Sequence, residues 1–208
     1  MDSPRWQEIH ENQRKSINHN FKLKSRLCGF IAGDGNISMS RFLLRLFPDH
    51  ESLINPLVES IVEVYNKKPL IRKNNNFFTI SLSSKVICED LINICNFGTR
   101  DWEIPFNLFE SKNDEIEWLR SFFDAEAHVN LSRCQIKINS VNESGLKQIK
   151  DSLLRFNIHS AIYNYTPKNI RWSKVFILII YRKNSLKNYR GIIGFNHSIK
   201  MSKLYKLI

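Results

Sequence analysis

The sequence predicts an α+β protein built from two copies of one αββαββα unit related by a pseudo-two-fold. Three observations predict it. A short motif is written twice: residues 27–35 read LCGFIAGDG and residues 119–127 read LRSFFDAEA. Each is an apolar run ending on one acid, Asp34 or Glu126. Leu119 lies 92 residues after Leu27 (119 − 27 = 92), and that offset also lays Arg41 on Arg133, Arg45 on Lys137, Glu51 on Glu143 and Ser52 on Ser144. Finally, the same order of hydrophobic periodicities is legible in both copies, which makes the repeat a statement about architecture.

Residues 1–20 are polar and read as an N-terminal extension, with Ser3 and Pro4 placed to start a short helix. The first unit spans 21–96. Residues 22–34 have helical apolar spacing, and 36–40 and 41–47 read as two strands. Pro48-Asp49 breaks the second, and 50–65 is an amphipathic helix with Leu53, Leu57, Ile61 and Val64 on one face. Residues 69–73 and 77–83 read as a hairpin across Asn74-Asn75-Asn76, and 85–96 as a helix. A linker at 97–113 carries Gly98 and Pro105. The second unit, 114–208, repeats the order: helix 114–126, strands 128–133 and 134–141, helix 143–156, strands 158–165 and 173–181, and a basic helical tail.

The charge restricts function. Across 208 residues, 31 Lys and Arg face 20 Asp and Glu, for a net charge of +11. Such a balance suits a polyanion partner. Cys28, Cys88, Cys95 and Cys134 form no C-x-x-C pair and read as reduced thiols of an intracellular, cytoplasmic protein. The longest apolar run, 175–181, suits a strand and is too short to span a membrane. A small-molecule enzyme finds no support: there is no phosphate-cradling glycine loop and no nucleophile–base pair at recognisable spacing.

The two motifs carry the chemistry. Gly29 and Gly33 in the first, and Ser121 and Ala125 in the second, sit four residues apart on one helical face. Small residues at that spacing let two backbones approach closely. If the motif helices pack through those faces, Asp34 and Glu126 converge at their C-terminal ends. Carboxylates there face the negative end of the helix dipole and repel each other. A divalent cation relieves both, and Mg²⁺ with incomplete protein coordination would leave room for phosphate and water.

On these residues the chain resembles the LAGLIDADG homing endonucleases over about residues 21–200, and most of all the single-chain, two-motif members of archaeal introns. The resemblance implies motif helices at the interface between halves and two antiparallel four-stranded sheets forming a DNA-binding saddle. It implies metal binding by Asp34 and Glu126, assisted by the Gly33 and Ala125 carbonyls. Mg²⁺ is the implied cofactor, with Mn²⁺ substituting and Ca²⁺ supporting binding without cleavage. The implied activity is a double-strand break in a long duplex target with short 3′ overhangs, by a monomer with internal pseudo-symmetry. The second motif departs in ending on Ala127, which a backbone avoiding positive φ accommodates. Many members also carry Gln or Lys just after the second strand. Here those places hold Pro48-Asp49 and Ser140-Val141, leaving Lys137 or Arg45 to order the attacking water.

For DNA, Arg133, Gln135, Lys137 and Asn139 alternate and so share one sheet face. The first-copy counterpart is Arg41 and Arg45, extended by Arg72, Thr79, Ser81 and Ser83. Arg and Gln on a ribbon reach base edges, whereas Lys73 and Lys174 suit phosphate. Tyr163, Tyr165, Arg171 and Trp172 surround a long loop and would meet the duplex flank. His50 and His128 read as turn or surface residues, and 200–206 as a solvated basic helix face. The alternative function is a catalytically inactive nucleic-acid binder of the same fold, or a maturase whose partner is intron RNA.

Overall fold

The computed structural model describes residues 3–166 and 173–208. After α1 (Pro4–Lys15) come α2 (Phe21–Asp34), β1 (Gly35–Ser38), β2 (Leu43–Leu46), α3 (Ile54–Tyr65), β3 (Leu70–Lys73), β4 (Phe78–Ser83) and α4 (Lys85–Ile92). The second copy runs α5 (Lys112–Glu126), β5 (His128–Asn130), β6 (Gln135–Ser140), α6 (Glu143–Arg155), β7 (Ala161–Tyr165), β8 (Val175–Ile180), α7 (Lys183–Ile192) and α8 (Ser198–Leu207). Both sheets are antiparallel and four-stranded. Their orders, β1-β2-β4-β3 and β5-β6-β8-β7, are the same pattern twice.

The duplication extends to backbone detail. Phe42 and Cys134, which the 92-residue offset equates, both take positive φ (47° each) and close the hairpin after the first strand of each unit. The sequence shows no Gly or Asn-Gly there to announce a turn, so the strands expected at 36–47 and 128–141 are shorter than their apolar pattern suggests. Asn66 and Asn157 likewise take left-handed φ after α3 and α6, where Asn tolerates that geometry at a helix end. The single basic tail expected at the C-terminus is two helices, broken at Gly194 with φ 64°.

Each sheet turns one face to the core. Leu44, Leu46 and Ile80 in the first, and Ile136, Ile138, Leu178 and Ile180 in the second, are fully buried. Between the sheets lie α2 and α5, contributing Leu27, Phe30, Ile31, Trp118, Leu119, Phe122 and Phe123. The Trp118 and Phe122 rings stack at 5.2 Å, with Trp102 of the linker 4.6 Å from Phe122. Near their N-terminal ends the helices are also joined by charge. Arg26 Nε donates to Glu117 Oε2 at 2.9 Å, while Glu59 meets the same guanidinium at 3.1 Å. Among the described residues, no helix is long and apolar enough to cross a membrane.

Candidate active site

The site is built where α2 and α5 end. Asn20 caps α2 by accepting from Leu23 N–H, and Asp114 secures the start of α5 by accepting from the Glu110 and Ser111 N–H groups. The helices then converge. A Cβ at Gly29 would lie 2.3 Å from the Trp118 carbonyl oxygen, and one at Gly33 would lie 2.7 Å from Ala125 Cβ and 3.7 Å from Glu126 Oε1. The small residues therefore permit the close approach. Its partner surface differs in part from the expected one: Gly29 meets the Trp118 backbone, while Gly33 meets Ala125 as expected. Gly35 and Ala127 follow the acids with φ of −121° and −81°. Both are extended, so alanine is unstrained in the second motif.

Asp34 and Glu126 are the last residues of their helices, each partly buried. Burial raises the Asp34 pKa, aided by the negative charge of Asp49 and opposed by Lys200. Burial first, and then the charge of Asp34, pushes Glu126 up to about 7, again against Lys200. Among the described residues, no hydrogen-bond donor reaches either carboxylate, and no group of three or more His, Cys, Asp or Glu side chains converges as a metal site. Two unpartnered carboxylates of raised proton affinity suit a hard divalent cation that keeps positions open for water and phosphate. Glu126 also lines a cleft of about 360 Å³ with Gly33, Gly35, Thr99, Asn139 and Ser140.

A third element completes the site, and sequence reasoning missed it. The segment leading into α8 is clasped onto the end of α5. The buried Asp124 carboxylate accepts from the Asn196 and His197 N–H groups at 3.2 and 3.0 Å. His197 stacks on His50 with ring centroids 4.7 Å apart, and its Nε2 lies 3.4 Å from Asp49 Oδ1. The His197 hydrogen bond holds Asp49 below the usual carboxylate range, despite partial burial. Ser198 N–H donates to Ser52 Oγ at 3.1 Å. From α8, Lys200 Nζ reaches inward and donates to the carbonyl oxygens of Asp124 and Ala125, the latter at 3.1 Å. Burial lowers its pKa, while Asp49, Asp124, Asp34 and Glu126 all pull it back up. Lys200 is thus no solvated helix residue and the Ala125 carbonyl is engaged by an ammonium, while His50 stands in a turn, as expected, with its ring against His197. The only local signal is a run of lysines, which does not separate Lys200 from Lys203 or Lys206.

The remaining site residues divide by geometry. Arg45 pairs across the sheet with Asn36, and Lys137 with His128. Each basic residue thereby stands opposite the residue two positions beyond an acid, on the face turned away from the core. Arg45 donates to Asn36 Oδ1 at 3.3 Å, and its guanidinium sits 5.9 Å from the Phe47 ring. The pairings of Arg45 with Ser81 and of Arg72 with Thr79 put those four on one surface, which Ser83 continues through its pairing with Leu43. In the second sheet, Lys137 pairs with Ile179, and Asn139 with Ile177, which in turn pairs with exposed Tyr163. Tyr165, paired with Val175, extends that row and is also exposed.

Three residues need correction. Arg41 and Arg133 lie in the hairpin turns closed by Phe42 and Cys134, exposed at the sheet ends, because the positive φ ends each strand early. Gln135 has the expected facing but only 9% exposure, so it is covered. Lys73 pairs with Phe78, one position out of step with Arg72 and Thr79. It therefore points to the opposite side of the strand from Arg72 but stays exposed, its ammonium 6.0 Å from the Phe78 ring. Lys174 is exposed as expected, 5.0 Å from the Phe176 ring. Arg171 and Trp172 lie outside the described residues.

Comparison with known proteins bears on this geometry. Residues 113–194 match the family described as the LAGLIDADG-like domain. Solved structures of the homing endonuclease I-DmoI align over 85% of this chain and 97% of theirs at 18% identity, with a TM-score of 0.63 for the complex with DNA and Mn. Full-length DUF199/WhiA from Thermatoga maritima aligns over 95% of this chain and 65% of its own, at 16% identity and a TM-score of 0.59. In sequence, the chain is 28% identical over 189 residues to glutamine–fructose-6-phosphate aminotransferase [isomerizing] of Methanocaldococcus jannaschii, covering 88% of this chain. It is 26% identical over 201 residues to the probable translation initiation factor IF-2 of the same organism. The chain spans only 17% of either relative's length.

Proposed function

We propose that this chain, a LAGLIDADG-fold protein of the single-chain, two-motif kind, is a site-specific homing endonuclease that makes a divalent-metal-dependent double-strand break in DNA. The observation that carries the reading is the convergence of α2 and α5, which brings two unpartnered acids of raised pKa to adjacent helix ends, each two residues from the strand partner of Arg45 or Lys137. The Asp34 and Glu126 carboxylates would hold the metal, which supplies charge for the attacking water and for the leaving oxygen of the phosphodiester. Mg²⁺ is the natural ion, with Mn²⁺ able to substitute.

The chain's own residues do the rest. Arg45 and Lys137, at equivalent places flanking the acids, approach the scissile phosphates and order water. The faces bearing Arg72, Thr79, Ser81, Asn139, Tyr163 and Tyr165 track the duplex, with a net charge of +11 drawing it in. The pseudo-two-fold gives each strand a matching environment, which suits cutting both strands with short 3′ overhangs. The matched segments in two relatives of unrelated activity, each about this chain's length, support a mobile module in an intracellular host. The test is cleavage of the uninterrupted sequence flanking its coding frame, with Mg²⁺ or Mn²⁺. Asp34→Asn and Glu126→Gln should abolish cutting and leave binding within a few-fold. Full cleavage by either variant refutes the mechanism.

A second reading has one observation behind it. Pro48-Asp49 and Ser140-Val141 stand where many members of the family this chain resembles carry Gln or Lys, so a nucleic-acid binder of the same fold also suits these residues. Tight, specific binding with no product under either metal would favour a binder.

A further inference from the structure

A buried lysine needs a reason to be where it is, since burying an ammonium costs free energy unless its surroundings compensate. Lys200 comes from the far end of the chain, on a helix fastened by Asp124, Ser52 and the His50–His197 stack. Its ammonium donates to backbone carbonyls of the last turn of α5, including that of Ala125, the residue against which Gly33 of α2 packs. Those carbonyls carry the negative end of the helix dipole. Four acids, Asp34, Asp49, Asp124 and Glu126, lie within its electrostatic reach. Asp49 is shared with His197, and Asp124 is satisfied by two backbone N–H groups. The two left without a partner are Asp34 and Glu126.

We propose that Lys200 is a positioning residue of the site: a resident counter-charge that holds the ends of α2 and α5 together when no divalent ion is bound, and that weakens ion binding in return. The proposal rests on the reading that Asp34 and Glu126 hold the metal. Its physical basis is that the site must exist before the ion arrives. Two carboxylates at adjacent helix ends push those ends apart, and a tethered ammonium offsets them without leaving the protein. A divalent ion then enters a site that already contains a positive charge, so it binds more weakly than it would to the acids alone. Cutting is thereby tied to an ion and a DNA duplex arriving together, because the phosphates add the negative charge that the ion needs.

The test uses the whole chain, Ca²⁺ as a non-cleaving probe, and the variants Lys200→Gln and Lys200→Arg. Glutamine keeps an N–H donor for the carbonyls but loses the charge, whereas arginine keeps both. The readouts are Ca²⁺ affinity by calorimetry and the rise in Tm when Ca²⁺ is added to chelator-treated protein. The expected result for Lys200→Gln is a Ca²⁺ Kd lower by about tenfold and a larger Ca²⁺-induced rise in Tm than in the unaltered protein. Lys200→Arg should follow the unaltered protein in both. If Lys200 merely fastens α8, Lys200→Gln lowers the starting Tm without changing Kd or the Ca²⁺-induced rise, and the proposal fails. Should Lys200→Gln not fold, Lys200→Met in the presence of bound DNA repeats the Kd comparison, and an unchanged value again overturns it. Absence of Ca²⁺ binding by the unaltered protein, with or without DNA, would overturn the metal reading itself and the proposal with it.

Discussion

Gly29→Ala tests the geometry on which the site depends. The new Cβ would stand 2.3 Å from the Trp118 carbonyl oxygen and 3.0 Å from its carbon. An ordinary contact needs about 3.4 Å, so the shortfall is about 1 Å against a dispersion minimum near 3.5–4.0 Å. The obstructing atoms are backbone inside a helix and cannot rotate away, so α2 and α5 must separate along their length. Overpacking of this kind costs about 3 kcal/mol, the upper end of the usual range. Replacing a mid-helix glycine by alanine returns about 1 kcal/mol. The net loss of about 2 kcal/mol corresponds to a Tm lower by roughly 4–8 °C for a chain of this size. Gly191 is the control: it lies in α7, is exposed, and a Cβ added there would have nothing within 4 Å. Gly191→Ala should therefore stabilise by about 0.5–1 kcal/mol. Both variants are measured by denaturant and thermal unfolding. If Gly29→Ala matches Gly191→Ala in sign, the helices are not in backbone contact and the convergence of the acids loses its support.

Three further outcomes follow from named contacts. Glu126 carries a pKa raised from 4.5 to about 7, so between those values the folded state binds more protons than the unfolded chain. Metal-free protein should lose stability as pH rises through that window and level off above it, whereas Glu126→Gln should lack this component; parallel pH–Tm curves for the two proteins would contradict the assignment. Glu117→Gln removes the buried carboxylate that holds Arg26, and leaving that guanidinium without its partner should cost about 3–5 kcal/mol in urea unfolding; a loss below about 1 kcal/mol would mean that Glu59 and water suffice. Lys137→Met should weaken DNA binding similarly across sequences and reduce the slope of log K against log salt by about 1, as the loss of one phosphate contact does. A slope equal to that of the unaltered protein would place Lys137 away from the backbone.

Much of this is legible because it is local or periodic. The doubled motif predicts two equivalent helices ending on acids, and the small residues at 29 and 33 predict their close packing. The alternation of Arg45 with Leu44 and Leu46, and of Lys137 with Ile136 and Ile138, fixes which side chains turn away from the core. The hairpin turns are not legible: Phe42 and Cys134 adopt positive φ without a turn residue to signal it, and so the pattern alone puts Arg41 and Arg133 in strands. Nor is the facing of Lys73 legible, because a strand side chain's facing follows its register and the sequence there offers few buried residues to set it.

Residue order alone determined that the chain is duplicated, which runs are helix or strand, and where two acids fall at helix ends. Those properties follow from side-chain size and spacing within a few turns. Only the tertiary structure decided what stands beside the acids. Asp124 and Lys200 are 76 residues apart, and their meeting depends on α8 docking against both halves through hydrogen bonds that no periodicity encodes. The cation at the junction is a product of that docking, because the charge of a lysine is written in the sequence but its burial is not.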